Sequence, residues 1–234
     1  MSRGVFITGT DTSVGKTLSA CGLLRGLSSR GMIVSGYKPV AAGADLIDGR
    51  LQNDDATWLA RCSSGHLDYD EVNPIVLEPP IAPHIAASAA GLVVDLERLV
   101  DGHQRLAEKC DFVVSEGAGG WLVPLNDELH FSDLAVALGV PVVLVVGLRL
   151  GCLNHALLTA ESIDHHGARL VGWIANTLEP GMAALEENLE TLERSLDAPL
   201  IGSVPWLGNE SMEERIGRAS ASMNLGLLLH ELRN

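Results

Sequence analysis

The sequence predicts an α/β fold, a doubly wound and mostly parallel sheet in a three-layer αβα arrangement. Three observations carry this expectation. Short apolar runs rich in Val and Ile recur, each run ends in glycine or a polar turn, and helix-like stretches fill the intervals. Continuous apolar runs suit strands covered on both faces, and strands that alternate with helices pair in parallel.

The elements follow in order. Residues 5–8 form the first run and lead into Gly9-Thr10-Asp11-Thr12-Ser13-Val14-Gly15-Lys16-Thr17, with a Leu- and Ala-rich helix expected over 17–30. A strand, a glycine-rich turn, Lys-Thr and a helix, in that order, make a phosphate-binding loop of the P-loop NTPase kind. Successive backbone N–H groups face a polyphosphate, Lys16 reaches its terminal phosphates, the Thr17 hydroxyl suits Mg²⁺, and the helix dipole favours an anion at the same spot. The first glycine stands one residue further from Gly-Lys-Thr than the usual spacing, because Thr10 occupies its place. Further strands are expected over 33–38, 112–116, 142–147, 170–176 and 200–205. Helices are expected over 54–61, 95–109, 131–138, 152–166, 182–196 and 211–232.

Ligands in open α/β sheets bind beyond the carboxyl ends of the strands. There the runs lead into Lys38-Pro39-Val40, Glu116-Gly117-Ala118-Gly119-Gly120, Gly147-Leu148-Arg149-Leu150-Gly151, Asn176-Thr177 and Pro205-Trp206-Leu207, so the distinctive polar and glycine-rich groups share one edge.

Composition narrows the function classes. The 234 residues are expected to form a single domain over 1–234, and a net charge of −14 argues against nucleic acid or an anionic membrane as partner. No apolar run approaches the roughly 20 residues of a membrane span, so a cytoplasmic protein is expected. Cys21, Cys62, Cys110 and Cys152 form no C-x-x-C pair, which predicts reduced cysteines and no zinc site.

Glu116 ends a strand run where a P-loop protein places its second acidic group for Mg²⁺, and the glycines after it let backbone approach a ligand. Asp54 and Asp55 open a helix, where capping by itself explains acidic residues. Lys38, held extended by Pro39, stands beside the phosphate site as either a surface lysine or a group that neutralises charge on a transferred phosphoryl. His84, His165 and His166 show no metal-ligand spacing. Asn154 falls in the first turn of a helix after Gly151, which suits either a cap or an anion site.

The phosphate loop from Thr8 to Thr17, taken with Gly36-Tyr37-Lys38-Pro39-Val40, Glu116-Gly117-Ala118-Gly119-Gly120-Trp121, Gly151-Cys152-Leu153-Asn154-His155-Ala156, Gly172-Trp173-Ile174-Ala175-Asn176 and Val204-Pro205-Trp206-Leu207, resembles dethiobiotin synthetase. The longer glycine spacing is part of the resemblance, which runs from Gly4 to about Leu207.

The resemblance implies an ATP- and Mg²⁺-dependent ring closure in biotin synthesis, in which 7,8-diaminononanoate and CO₂ give dethiobiotin, ADP and phosphate through a carbamate and a carbamic-phosphoric anhydride. It implies Lys16 and Lys38 as catalytic groups and Thr17, Asp55 and Glu116 as Mg²⁺ ligands. Nucleotide contacts would come from Ser13, Val14, Gly15, Lys16, Thr17 and Leu18, from Asp55, from Glu116, Gly117, Ala118 and Gly119, and from Asn176, Thr177, Pro205, Trp206 and Leu207. Substrate contacts would come from Lys38, Ala42, Gly151, Cys152, Leu153 and Asn154, the last four from the partner subunit of a homodimer. Two positions depart from the family pattern. Ser13 stands where Glu is common and Ala42 where a Ser can contact substrate, which bears on nucleotide preference and carbamate contacts. Residues 209–234 match no part of the pattern.

A rival from another class is a partitioning or cell-division switch ATPase. Those proteins carry an extra lysine early in the phosphate loop, and Thr10 to Val14 contain none. A cobyrinate-type amidation ligase would need a glutaminase domain, and a GTPase would need Lys-x-Asp after Asn176.

Overall fold

The computed structural model describes residues 4–233. The chain begins with β1 (Gly4–Gly9), α1 (Lys16–Ser28), β2 (Val34–Tyr37), β3 (Val40–Ala42), β4 (Asp45–Ile47), β5 (Arg50–Gln52), α2 (Asp54–Cys62), α3 (Tyr69–Val72), β6 (Ile75–Leu77) and α4 (Pro83–Ala89). It continues with α5 (Leu96–Lys109), β7 (Phe112–Glu116), α6 (Phe131–Leu138), β8 (Val142–Leu148), α7 (Cys152–His165), β9 (Leu170–Thr177), α8 (Leu185–Ser195), β10 (Leu200–Val204), α9 (Met212–Ala221) and α10 (Leu225–Glu231).

Six strands form the central sheet in the order β10-β9-β8-β1-β7-β2, and every neighbouring pair is parallel. Side chains alternate between its faces. Val5 and Ile7 of β1 join a core with α1, α2, α9 and α10, whereas Phe6 packs with α5 and α6 on the other side. Leu144, Val146 and Trp173 extend that second layer beneath α7 and α8. Both faces of every central strand are therefore covered, which is why these strands read as unbroken apolar runs.

The six expected strands form this sheet, with ends moved by one residue at most places. The expected helix over 211–232 is two helices. Its chain breaks at Ser222-Met223-Asn224, where Met223 bridges to Gly202 of β10 and the Asn224 side chain caps α10 by accepting from Leu227 N at 3.1 Å. Four small features stand outside the expected pattern: α3, α4, the parallel pair β3–β6 and the hairpin β4–β5. The hairpin turns on Asp48-Gly49, both at positive φ, which is the strongest short hairpin signal, here between strands too short to show alternation. Cys21 and Cys62, distant in sequence, are brought near each other on α1 and α2, and all four cysteines are free. Among the described residues, no helix is long and apolar enough to cross a membrane.

Candidate active site

The loops at the carboxyl edge of the sheet enclose a cavity of about 670 Å³. Ser13, Gly15, Lys16, Thr17, Leu18, Lys38, Ala42, Asp55, Glu116, Ala118 and Gly119 all border it.

The phosphate loop owes its shape to two glycines and one strained residue. A Cβ on Gly9 would lie 2.6 Å from Val14 Cγ2, and one on Gly15, at φ 93°, would lie 2.2 Å from Asn176 Nδ2. Ser13 takes a left-handed conformation at φ 59° and so accommodates the extra residue of the longer loop. The loop is closed by Asn176 Nδ2 donating to Val14 O at 2.9 Å and by an ion pair between Asp11 and Arg149. Val14 is buried beneath it. Lys16 donates to Asp11 O at 2.9 Å, and burial first, then the nearby Lys38 charge, lowers its pKa to about 8.

Opposite the loop lies a buried charge cluster. Lys38, only 2 % exposed, donates to Glu116 Oε1 at 2.7 Å, to Asp55 Oδ2 at 2.9 Å and to Gly117 O at 3.2 Å. Thr17 Oγ1 donates to the same Glu116 Oε1 at 2.8 Å. Burial alone would pull the Lys38 pKa down, but Glu116 and Asp55 outweigh it and the net direction is up. Burial and the nearness of Asp55 push the Glu116 carboxyl up, against the pull of Lys38. Asp55 moves down, because the Lys38 charge and the hydrogen bond from Lys38 overcome its desolvation. Lys38 and Glu116 are thus buried, Lys38 not being the surface lysine that its position alone allowed, while the Asp55 side chain is 44 % exposed.

The scaffold behind the cluster is specific. Asn53, not Asp54 or Asp55, caps α2 by accepting from Ala56 N, and its amide holds Gly43 O at 2.9 Å. Asp55 is thereby free to face Lys38. Asn73 Nδ2 donates to Lys38 O at 2.6 Å, and Lys38 N donates to Val72 O at 2.7 Å, so the lysine backbone is fixed on both sides. Behind Glu116, on the opposite face of β7, His103 Nδ1 meets Ser115 Oγ at 2.9 Å.

A carboxylate pair with a hydroxyl is a hard oxygen donor set of the kind that suits Mg²⁺. Glu116 Oε2 is buried with no hydrogen-bond partner, so an acceptor in this set has capacity to spare. The residues present therefore fit such an ion.

Other expected site residues lie elsewhere. Asn176 touches the phosphate loop from its outer side, Trp206 is half-exposed after β10, Leu207 is buried, and none of them borders the cavity. Gly151 to Asn154 open α7 away from it. Gly151 is at φ 95°, Cys152 is buried with its N–H taken by Arg149 O at 3.0 Å, and Asn154 is exposed. Sequence reasoning missed Pro80, Ile81 and Ala82, which follow β6, and Met212 and Arg215 of α9, all on the cavity wall. The Glu78-Pro79-Pro80 turn at a strand's carboxyl end was a usable signal for the first group; nothing in the local pattern marked Arg215.

A family model described as an AAA domain matches residues 3–214. Among solved structures, the chain is similar to the MinD cell division protein of Aquifex aeolicus (15% identity, TM-score 0.58, covering 100% of this chain and 98% of that one) and to a ParA family ATPase of Chlorobium tepidum TLS (15% identity, TM-score 0.56, 100% of each). At such identity the likeness establishes the P-loop NTPase fold alone. Curated relatives say more. The ATP-dependent dethiobiotin synthetase BioD of Pseudomonas paraeruginosa is 50% identical over 87% of this chain and 90% of its own length, and BioD 1 of Escherichia coli strain K12 is 42% identical over 97% and 100%. The loop geometry, the buried lysine–carboxylate cluster and this likeness over nearly the whole chain converge: the chain belongs to the dethiobiotin synthetase family of ATP-dependent ligases.

Proposed function

We propose that residues 1–234 act as one ATP-binding domain that closes the ureido ring of dethiobiotin from 7,8-diaminononanoate and CO₂, with ADP and phosphate as the other products. The observation that carries this reading is the arrangement of Lys16, Thr17, Lys38, Asp55 and Glu116 around one cavity. One amine of the substrate takes up CO₂ as a carbamate. The carbamate oxygen attacks the γ-phosphate, and the second amine expels phosphate from the mixed anhydride. No covalent bond to the protein is needed, so its work is positioning and charge stabilisation.

Lys16 lies against the terminal phosphates of ATP. Lys38 neutralises the carbamate and the migrating phosphoryl, and its elevated pKa keeps it charged at neutral pH. Thr17, Asp55 and Glu116 would hold Mg²⁺, which when bound supplies positive charge to the β and γ phosphates. Gly117, Ala118 and Gly119 bring backbone to the nucleotide. Asn176 and Thr177, with Pro205, Trp206 and Leu207, receive the adenine, since an amide side chain can pair with its N6 and N7 edge.

The substrate carboxylate falls at Gly151 to Asn154 of a partner subunit, in a homodimer with two shared sites. Two observations favour this. Those residues stand apart from the cavity of their own chain, and Leu150 (98 % exposed), Leu157 and Leu158 beside them present apolar surface to be covered. Ala42, on the cavity wall, leaves space beside the carbamate where a Ser would donate a hydrogen bond.

ADP release, measured with diaminononanoate and bicarbonate together and with each omitted in turn, tests the chemistry; release independent of both refutes it. Mixing inactive Lys38→Ala and Leu153→Glu subunits tests the shared site. Activity should reappear after subunit exchange, and its absence despite proven exchange would place both groups in one chain.

A further inference from the structure

Three cationic side chains border the cavity, and two of them have partners within the chain. Lys16 holds Asp11 O, and Lys38 holds Glu116, Asp55 and Gly117 O. Arg215 has none among the described residues, and its Nε is buried without a hydrogen bond. Leaving a buried donor unpaired costs free energy, and unlike the buried indole nitrogens of Trp121 and Trp173 this one belongs to a charged side chain on the cavity wall.

The local carboxylates sharpen the point. Glu210 pairs with Arg218 at 2.6 Å, Glu213 pairs with Arg25, and Glu214 folds back to accept from Ser211 N at 2.9 Å and Ser211 Oγ at 2.7 Å. Glu213 and Glu214 are engaged with other groups, and Glu210 gives one oxygen to Arg218 while its Oε2 is buried without a partner. Nor is Arg215 on a loose segment, because α9 crosses α1 at Gly22, where a Cβ would come within 3.1 Å of Ala219 Cβ and Ser220 N. The capping box of Ser211 and Glu214 fixes the start of α9.

Position decides what the missing partner is. A guanidinium has five donors and no acceptor, and its plane lies well against an aromatic face. In the sheet, Lys38 and Glu116 follow β2 and β7 on one side of β1, whereas α9 packs on α1 and β10, on the other side. Arg215 therefore approaches the phosphate loop from the side opposite the terminal-phosphate cluster. Met212, one turn earlier on the same helix face, adds a polarisable apolar surface beside it.

We propose that Arg215, with Met212, forms the purine-and-ribose wall of the nucleotide site. The inference rests on the ATP reading above and deepens it. The guanidinium lies against the base and donates to the ring and sugar acceptors, while the phosphates are held elsewhere.

Calorimetric titration with Mg·ATP and, separately, with inorganic tripolyphosphate tests it. In Arg215→Ala the Kd for ATP should rise about tenfold, the loss of one charge-assisted contact, while the Kd for tripolyphosphate and the melting temperature stay unchanged. Arg215→Met, which refills the space without the donors, should weaken ATP in the same way and guards against a folding defect in the alanine variant. Equal weakening of ATP and tripolyphosphate would make Arg215 a phosphate ligand and overturn the assignment, and an unchanged ATP affinity would overturn it too. Failure of the wild-type protein to bind ATP at all would instead bring down the ATP reading and this inference with it.

Discussion

His103 offers a quantitative test of the scaffold behind Glu116. It is 5 % exposed between α5 and β7, touches Ser115 Oγ at 2.9 Å, and stacks edge-on to Tyr37 with ring centroids 6.0 Å apart. Burial lowers its pKa from 6.5 to about 4. The unfolded chain then binds a proton between those values that the folded chain does not, so stability from this group is complete above pH 6.5 and is lost as pH falls toward 4. Linkage of the two pKa values gives a loss of about 2 kcal/mol at pH 5 and about 3 kcal/mol once both states are protonated. Urea unfolding at pH 7, 6, 5 and 4.5, for the wild type and His103→Gln, isolates the effect. The variant loses packing at pH 7, but the gap between the two proteins should close by about 2 kcal/mol at pH 5. A gap that holds constant across this range would show that His103 titrates alike in both states, and the account of its burial would be wrong.

The remaining expectations concern the cavity. Lys38→Ala should nearly abolish turnover in steady-state ADP release while leaving ATP affinity within a few-fold; because it strands the buried Glu116 carboxylate, it should also cost about 3–5 kcal/mol in urea unfolding, much of it recovered in the Lys38→Ala, Glu116→Gln double variant without return of activity. Glu116→Gln and Asp55→Asn should each raise the Mg²⁺ concentration needed for half-maximal activity, and Asp55→Asn should lower the melting temperature only through its lost ion pair with Lys38, since Asn53 and not Asp55 caps α2. Gly15→Ala should weaken ATP binding at least tenfold by equilibrium dialysis, because its Cβ would meet the Asn176 amide at 2.2 Å; near-normal affinity would mean that the loop yields more readily than its contacts imply.

Much of this was legible before any coordinates. The strands were readable because both faces of each are buried, which leaves an unbroken Val and Ile signature, and the phosphate loop because glycine, lysine and threonine are each required at a fixed step along the backbone. Lys38 was ambiguous for a physical reason. Its burial depends on Glu116, 78 positions away, and on Asp55 from a third element, and no local pattern encodes such a meeting. Asp55 was masked by its place in a first helical turn, where acidic residues have another use, and only the Asn53 amide, committed at once to Gly43 and Ala56, settles which residue caps. Arg215 was invisible because its significance lies in what it lacks, a side-chain partner among the described residues, and no local pattern encodes such a lack.

The cluster around Lys38 links the fold's cost to its use. Two carboxylates and an ammonium are held together at the mouth of the sheet, with Glu116 and Lys38 almost wholly removed from water, an arrangement that gives less stability than apolar side chains of similar size would. In the ligand-free chain, Lys38 supplies the charge that Asp55 and Glu116 require. In the proposed reading those same carboxylates would hold a divalent cation, which would supply the positive charge that Lys38 otherwise gives them. With that charge supplied, the Lys38 ammonium would be free to meet the anionic carbamate and phosphoryl. Its backbone stays fixed by Val72 O and Asn73, so the movement is confined to the side chain. An ammonium used in this way needs a raised pKa and a dry setting, and β2, β7 and α2 are joined by the hydrogen bonds described above so as to give it both.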